Sequence, residues 1–217
     1  MRTSHYTIDL DAGTIETDQL PAGYYLHVKI KNDDCSDAPW DRDSGHGDVR
    51  HEWCSYGTPK LARGETILHS ERGDHWIYNQ GAAFVIAWRD GWGLSPDSLA
   101  KLTRALGKKP TRSQIRAEAV RQDMAFLRGY LSDDWSYIGV CVTLYDAADT
   151  EISSDSLWGI ESNAGDYLLE VAAECADNCM HAAGIDLASR AKQWRAALSE
   201  ARMRRYWAQR DVQTVGA

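Results

Sequence analysis

Near the start of the chain apolar and polar residues alternate. Tyr6, Ile8 and Leu10 are interleaved with Thr7 and Asp9, and Tyr24, Leu26, Val28 and Ile30 with Tyr25, His27, Lys29 and Lys31. Successive side chains of an extended strand point to opposite faces, so this pattern predicts two half-buried strands, with the Asp-Ala-Gly and Pro-Ala-Gly segments as turns. Residues 32–50 have no apolar period. They carry Asp33, Asp34, Asp37, Asp41, Asp43 and Asp48 together with Pro39, Gly45 and Gly47, which is the chemistry of a long loop. Loops of that length inside a compact domain are uncommon and often functional, which makes this one a candidate by position. Short strand-like pieces follow at 51–56, 66–69 and 75–78, separated by Gly57, Pro59, Gly64 and Gly73.

Helical spacing then takes over. A short helix is predicted from Gly81 to Asp90, ended by Gly91 and Gly93. Ser95-Pro96-Asp97 is a start signal: Ser caps, Pro sits in the first turn where its missing N–H is not needed, and Asp favours the positive end of the dipole. That helix should stop at Gly107. Thr111 and Gln114 make a capping box, and Val120, Met124, Leu127 and Leu131 recur at helical spacing, so a helix is predicted over 112–131. Ile138, Val140, Val142 and Leu144 form the aliphatic face of the clearest strand. A turn at 146–150 and a second strand through Leu157, Trp158 and Ile160 complete a hairpin. Asn163 and Asp166 cap a helix whose apolar stripe is Leu168, Val171, Cys175, Cys179 and Ala182 and which ends at Gly184; Leu187, Trp194 and Leu198 mark a last helix. Strands first, helices next, then hairpin and helices define an α+β protein, with small antiparallel sheet regions packed by about five helices.

Charge changes the picture. The 217 residues carry a formal net charge of −8. From Gly184 onward seven bases and three acids give +4, so residues 1–183 carry −12. The chain therefore divides into an acidic α+β body, 1–183, and a basic C-terminal helix, 184–217. An acidic body repels nucleic-acid phosphates and favours a protein partner with a basic surface. The longest apolar run, 82–88, is far too short to span a membrane, and the opening residues lack a signal-peptide core, so a cytoplasmic protein is expected. Trp is 9 and Tyr 10 against only 2 Phe. Trp and Tyr are enriched where one side is apolar and the other wet, which directs attention to Trp40 and to Tyr25, Tyr137 and Tyr145 on the polar strand faces.

Two chemistries compete for the loop and the strands after it. His46, His51 and Cys54, with His69 and His75 on the next strands, supply imidazole and thiolate ligands suited to zinc. Period two, however, puts His51 and Cys54 on opposite faces of one strand. An EF-type calcium loop from Asp41 fails at its sixth position, where His46 replaces the required Gly. Cys175 and Cys179 fall on the apolar stripe of their helix and read as small buried hydrophobes, and the five cysteines follow no disulfide framework. Neither a nucleophile elbow nor a phosphate-cradling glycine motif is present.

Five stretches, PWDRDSGHGDV (39–49), ARGETIL (62–68), IAWRDGWG (86–93), DMAFLRGY (123–130) and SDSLWGIES (154–162), resemble as a set the accessory proteins of bacteriophages, plasmids and integrated mobile elements, over about residues 1–180. No activity is attached to that group. The resemblance implies a setting in which small acidic proteins bind and block host defence. The expectation is a non-enzymatic protein that binds a host protein through Trp40, Asp41, Asp43, His46 and Asp48 with Tyr25, Tyr137 and Tyr145, as an inhibitor of anti-CRISPR or antirestriction type. The alternative is a zinc enzyme built on His46, His51 and Cys54.

Overall fold

A computed structural model describes residues 6–42 and 45–185. In chain order its elements are β1 (Thr7–Asp9), β2 (Thr14–Glu16), β3 (Tyr25–Asn32), α1 (Pro39–Arg42), β4 (Val49–Trp53), β5 (Glu65–Glu71), β6 (Asp74–Asn79), α2 (Gln80–Arg89), α3 (Pro96–Leu106), α4 (Arg112–Leu131), β7 (Tyr137–Tyr145), β8 (Glu151–Glu161) and α5 (Tyr167–Ala182). Among the described residues, two small antiparallel sheets and five helices make this an α+β protein. The helix expected through Leu187, Trp194 and Leu198 lies outside the described residues. Among the described residues no helix is long and apolar enough to cross a membrane.

Two compact units share the chain. The first takes 6–32, 138–160 and 164–185 of the described residues, and the second takes 33–42, 45–137 and 161–163. In the first, the strand order is β1-β2-β3-β7-β8. Register keeps the aliphatic positions in phase: Ile8 pairs with Ile15, Ile15 with Leu26, Leu26 with Leu144 and Val28 with Val142. That face buries against Val171, Ala172, Cys175, Ala176 and Cys179 of α5. Each fully buried aliphatic side chain contributes about 1.5–3 kcal/mol, so this row is the unit's main source of stability. β2 escaped the sequence pattern because its three residues hold a single apolar position, Ile15. Asp166, not Asn163, is the N-cap of α5, and its side chain makes no capping bond.

On the other face of this sheet the Trp158 ring lies directly on Gly139, whose missing side chain leaves the space. Tyr25 and Tyr145, paired across β3 and β7, stack with ring centroids 5.2 Å apart, and Tyr25 donates to Asp149.

The second unit is a three-stranded sheet in the order β4-β6-β5. Its core joins Leu68 and Tyr78 of the sheet to Ala83 and Ala87 of α2 and to Val120 and Leu127 of α4. The helix signals act as the sequence implies. Ser95 accepts from the Ser98 N–H, the Thr111–Gln114 box is complete, and Gly107 closes α3 in the left-handed conformation at φ 63°. The 32–50 stretch is less open than its composition suggests: it contains the turn of helix α1, and it enters β4 at Val49.

Candidate functional site

An open concave site lies wholly within the second unit. It is a pocket of about 550 Å³ lined by Gly45, His46, Trp92, Gly93, Ala119, Gln122, Asp123 and Phe126. Three segments build it. α4 presents Ala119, Asp123 and Phe126 on one stripe, because residues four and then three apart share a helix face. The glycine-flanked turn after α2 brings in Trp92, whose backbone N–H donates to the Ala87 carbonyl at 2.9 Å. The loop ahead of β4 delivers His46.

Asp123 organises the site. Its Oδ1 lies 2.6 Å from His46 Nδ1, and its Oδ2 accepts from the Gly47 N–H at 2.9 Å and from the Tyr78 hydroxyl at 2.6 Å. The carboxylate side chain is only 8% exposed and the imidazole 19%. Burial first, and then the bond to Asp123, raise the Tyr78 pKa well above that of an ordinary phenol, so the hydroxyl stays a donor. Gly47 is required by this packing: a Cβ there would come within 2.5 Å of the Tyr78 oxygen. The His46 ring is held a second time, stacked on Phe126 at 5.4 Å with planes 8° apart. Since Nδ1 faces an acceptor, the proton of the neutral ring belongs on Nδ1, and in that tautomer Nε2 carries the lone pair. Nε2 has no hydrogen-bond partner among the described residues. A neutral imidazole oriented by a buried carboxylate, with no described partner on its second nitrogen, is suited to accept a proton from water or from a ligand O–H or N–H.

The other residues singled out by the sequence are dispersed. Asp41 and Asp48 are exposed, Trp40 is half-buried edge-on to Tyr130, and Asp43 lies outside the described residues. Tyr137, expected on an open strand face, is instead buried under the Arg42 guanidinium, 4.7 Å from its ring centroid. It belongs to an internal aromatic cluster with Tyr130 and Trp135, where part of the Trp and Tyr excess resides. Trp135 uses its polar handle inward, donating to the Phe126 carbonyl at 2.9 Å. Tyr25 and Tyr145 belong to the first unit, whereas the acidic loop belongs to the second.

His46, His51 and Cys54 each engage a different carboxylate. His51 Nε2 lies 2.7 Å from Asp74, and the Cys54 thiol donates to Glu52. Burial pushes the Cys54 thiol pKa upward, opposite to what a thiolate ligand needs. His69 tilts against Trp76, and His75 is buried with Nδ1 2.7 Å from the Ser70 hydroxyl. Among the described residues no three His, Cys, Asp or Glu side chains are grouped to hold a metal ion. Glu52 instead belongs to an ionic cluster in which Arg50 also takes Glu65 at 2.9 Å, and that pair, helped by the Ala62 N–H, holds the Glu65 pKa down at about 2.

Comparison with family models, with curated proteins and with solved structures finds no match for this chain. The site therefore rests on its own geometry. Of its members the sequence names His46 alone as a site residue; Trp92, Asp123 and Phe126 lie in stretches that carry the resemblance but are given no role, and Tyr78 and Gln122 are not singled out.

Proposed function

We propose that the second unit binds a small ligand in this pocket and that His46 Nε2 exchanges a proton or shares a hydrogen bond with it. The observation that carries the reading is the imidazole fixed through Nδ1 by the nearly buried Asp123, in a residue that lines the cavity and whose Nε2 has no partner among the described residues. Trp92 and Phe126 supply apolar lining, the Phe126 ring itself being packed between His46 and Trp135, and Gln122 offers an amide that pairs in either direction. Mostly apolar walls with a few convergent polar groups are the general make-up of ligand pockets. Any positive charge that developed on His46 would be stabilised by Asp123, which is how such pairs support general-base chemistry.

The reading is tested by NMR with a panel of ring compounds, including indole, adenine and benzoate. At least one should shift the His46 imidazole and Trp92 indole resonances saturably. His46→Ala should abolish that response while leaving the melting transition in place. A panel that leaves both sets of resonances unmoved at millimolar concentration would rule the reading out.

A second reading is favoured by the distribution of carboxylates. Asp34, Asp37, Asp41 and Asp48 are exposed and form no ion pair among the described residues. Residues 1–32, 138–160 and 164–183 hold twelve carboxylates against three cations. Each of these sets of acids by itself suits a partner with a basic face, in keeping with a non-enzymatic mobile-element protein that blocks a host defence protein. Saturable capture of a host protein that is lost when Asp37, Asp41 and Asp48 are changed to Lys would support it; capture indifferent to that reversal would refute it.

A further inference from the structure

The acidic total conceals a run of the opposite sign. Between Pro96 and Arg116 there is one acid, Asp97, and six bases: Lys101, Arg104, Lys108, Lys109, Arg112 and Arg116. All but Arg116 are exposed, and none of the six forms an ion pair among the described residues. A merely solvated face usually interleaves both signs, and like charges gathered without partners are mildly destabilising.

The scaffold holds these cations in a fixed order. At 100° per residue, Lys101 and Arg104 lie opposite the stripe Leu99, Leu102 and Leu106 of α3. Leu102 and Leu106 are half-buried while Lys101 and Arg104 are exposed, so the apolar edge is turned to the protein and the charged edge to solvent. Gly107 stops α3, Lys108 and Lys109 follow at the turn, Pro110 is buried, and the Thr111 box starts α4 with Arg112 at its first position. Five exposed cations thus fall within twelve residues on two capped helix ends.

We propose that this face binds duplex nucleic acid through its phosphates. The outward edge of α3 carries the exposed Asp97, Ala100 and Ala105 beside its two cations, with no larger apolar side chain to grip an acidic peptide. Arg116 packs on the Trp88 ring at 4.2 Å and donates to the Ala87 carbonyl, whereas the five exposed cations from Lys101 to Arg112 make no contact with an aromatic ring among the described residues, leaving them nothing on which unpaired bases would stack. Charge without stacking groups matches the phosphate backbone, where affinity arises from counterion release and is independent of sequence. This surface is separate from the pocket, and neither assignment depends on the other.

The test is fluorescence anisotropy of a labelled duplex of mixed sequence with the full chain. Binding in about the 10 μM range at 50 mM salt is expected, with log K falling against log salt at a slope of about −4, as for four to five neutralised phosphates. Lys108→Glu with Lys109→Glu should weaken binding at least tenfold, reduce the slope by about 2, and leave the melting temperature unchanged. Lys101→Glu with Arg104→Glu should do the same, and supplies the measurement should the first pair not fold. No binding at 50 mM salt overturns the proposal. So does equal affinity for a single strand or for polyglutamate, or a loss that follows Arg204→Glu with Arg205→Glu in the basic C-terminal stretch and not the two pairs above.

Discussion

Asp123 is satisfied by three donors drawn from two distant parts of the chain, and its contribution to stability differs in kind from that of His46. Removing the carboxylate leaves the Tyr78 hydroxyl and the Gly47 N–H buried without an acceptor, and an orphaned buried donor costs about 1–3 kcal/mol. Removing the imidazole leaves the carboxylate its two other partners. Asp123→Ala should therefore lower the free energy of unfolding by about 2 kcal/mol or more, and His46→Ala by less than about 1 kcal/mol, in urea melts of otherwise identical protein. Equal losses would mean that the imidazole is part of the scaffold and not a free working group. The same contrast explains what the sequence could show. His46 stands out in a glycine-rich loop where few residues compete for attention, whereas Asp123 looks like any helix carboxylate between Gln122 and Met124. Its partner lies 77 residues away, a separation no local pattern encodes. Tyr137 misled for a related reason: it lies on the less aliphatic side of its strand, but Arg42 and the neighbouring rings cover it.

At the level of elements, legibility follows capping and length. α3 and α4 were readable to the residue because their boundaries are chemical, set by Ser95 and Pro96, Gly107, and the Thr111 box. α1 and β2 were not, since an element of four or three residues has no period to detect. β7 and β8 illustrate a third case, in which the strand is legible and its packing is not. Gly139 looks like a weak point in an aliphatic strand, yet a Cβ there would sit 2.4 Å from the Trp158 ring. Overpacking of this kind costs about 1–3 kcal/mol. Gly139→Ala should therefore destabilise the protein by that amount, and much less when Trp158 is already Ala, giving a coupling of about 1 kcal/mol or more in a double-mutant cycle. Additive effects would show that the glycine serves only backbone freedom.

For the whole molecule, the informative fact is where the chain passes from one unit to the other. Asn32 and Ile138 are register partners across β3 and β7, so the 105 residues from 33 to 137 are inserted at the end of what is otherwise a hairpin. Every residue of the first unit's core lies outside that insertion, from Ile15 through Leu144 and Ile160 to Cys179. The insertion has its own core, including Tyr78, Val120 and Leu127. The division also accounts for the charge. Twelve carboxylates and three cations fall in the first unit up to residue 183, while all other cations before the basic C-terminal stretch fall in the insertion, which a single net value averages away. If the cores are independent, residues 33–137 can be replaced by a two-residue Asn-Gly turn, whose geometry suits the twist of the antiparallel strands it would join. Closing a loop of two residues in place of 105 also lowers the entropic cost of bringing β3 and β7 together, so the shortened chain should fold faster as well as alone. Circular dichroism of the excised protein should then show sheet and helix signal with one cooperative melt. A non-cooperative transition would mean that the first unit's sheet requires the insertion to hold its register, and that the two cores, though separate in their residues, are a single thermodynamic unit.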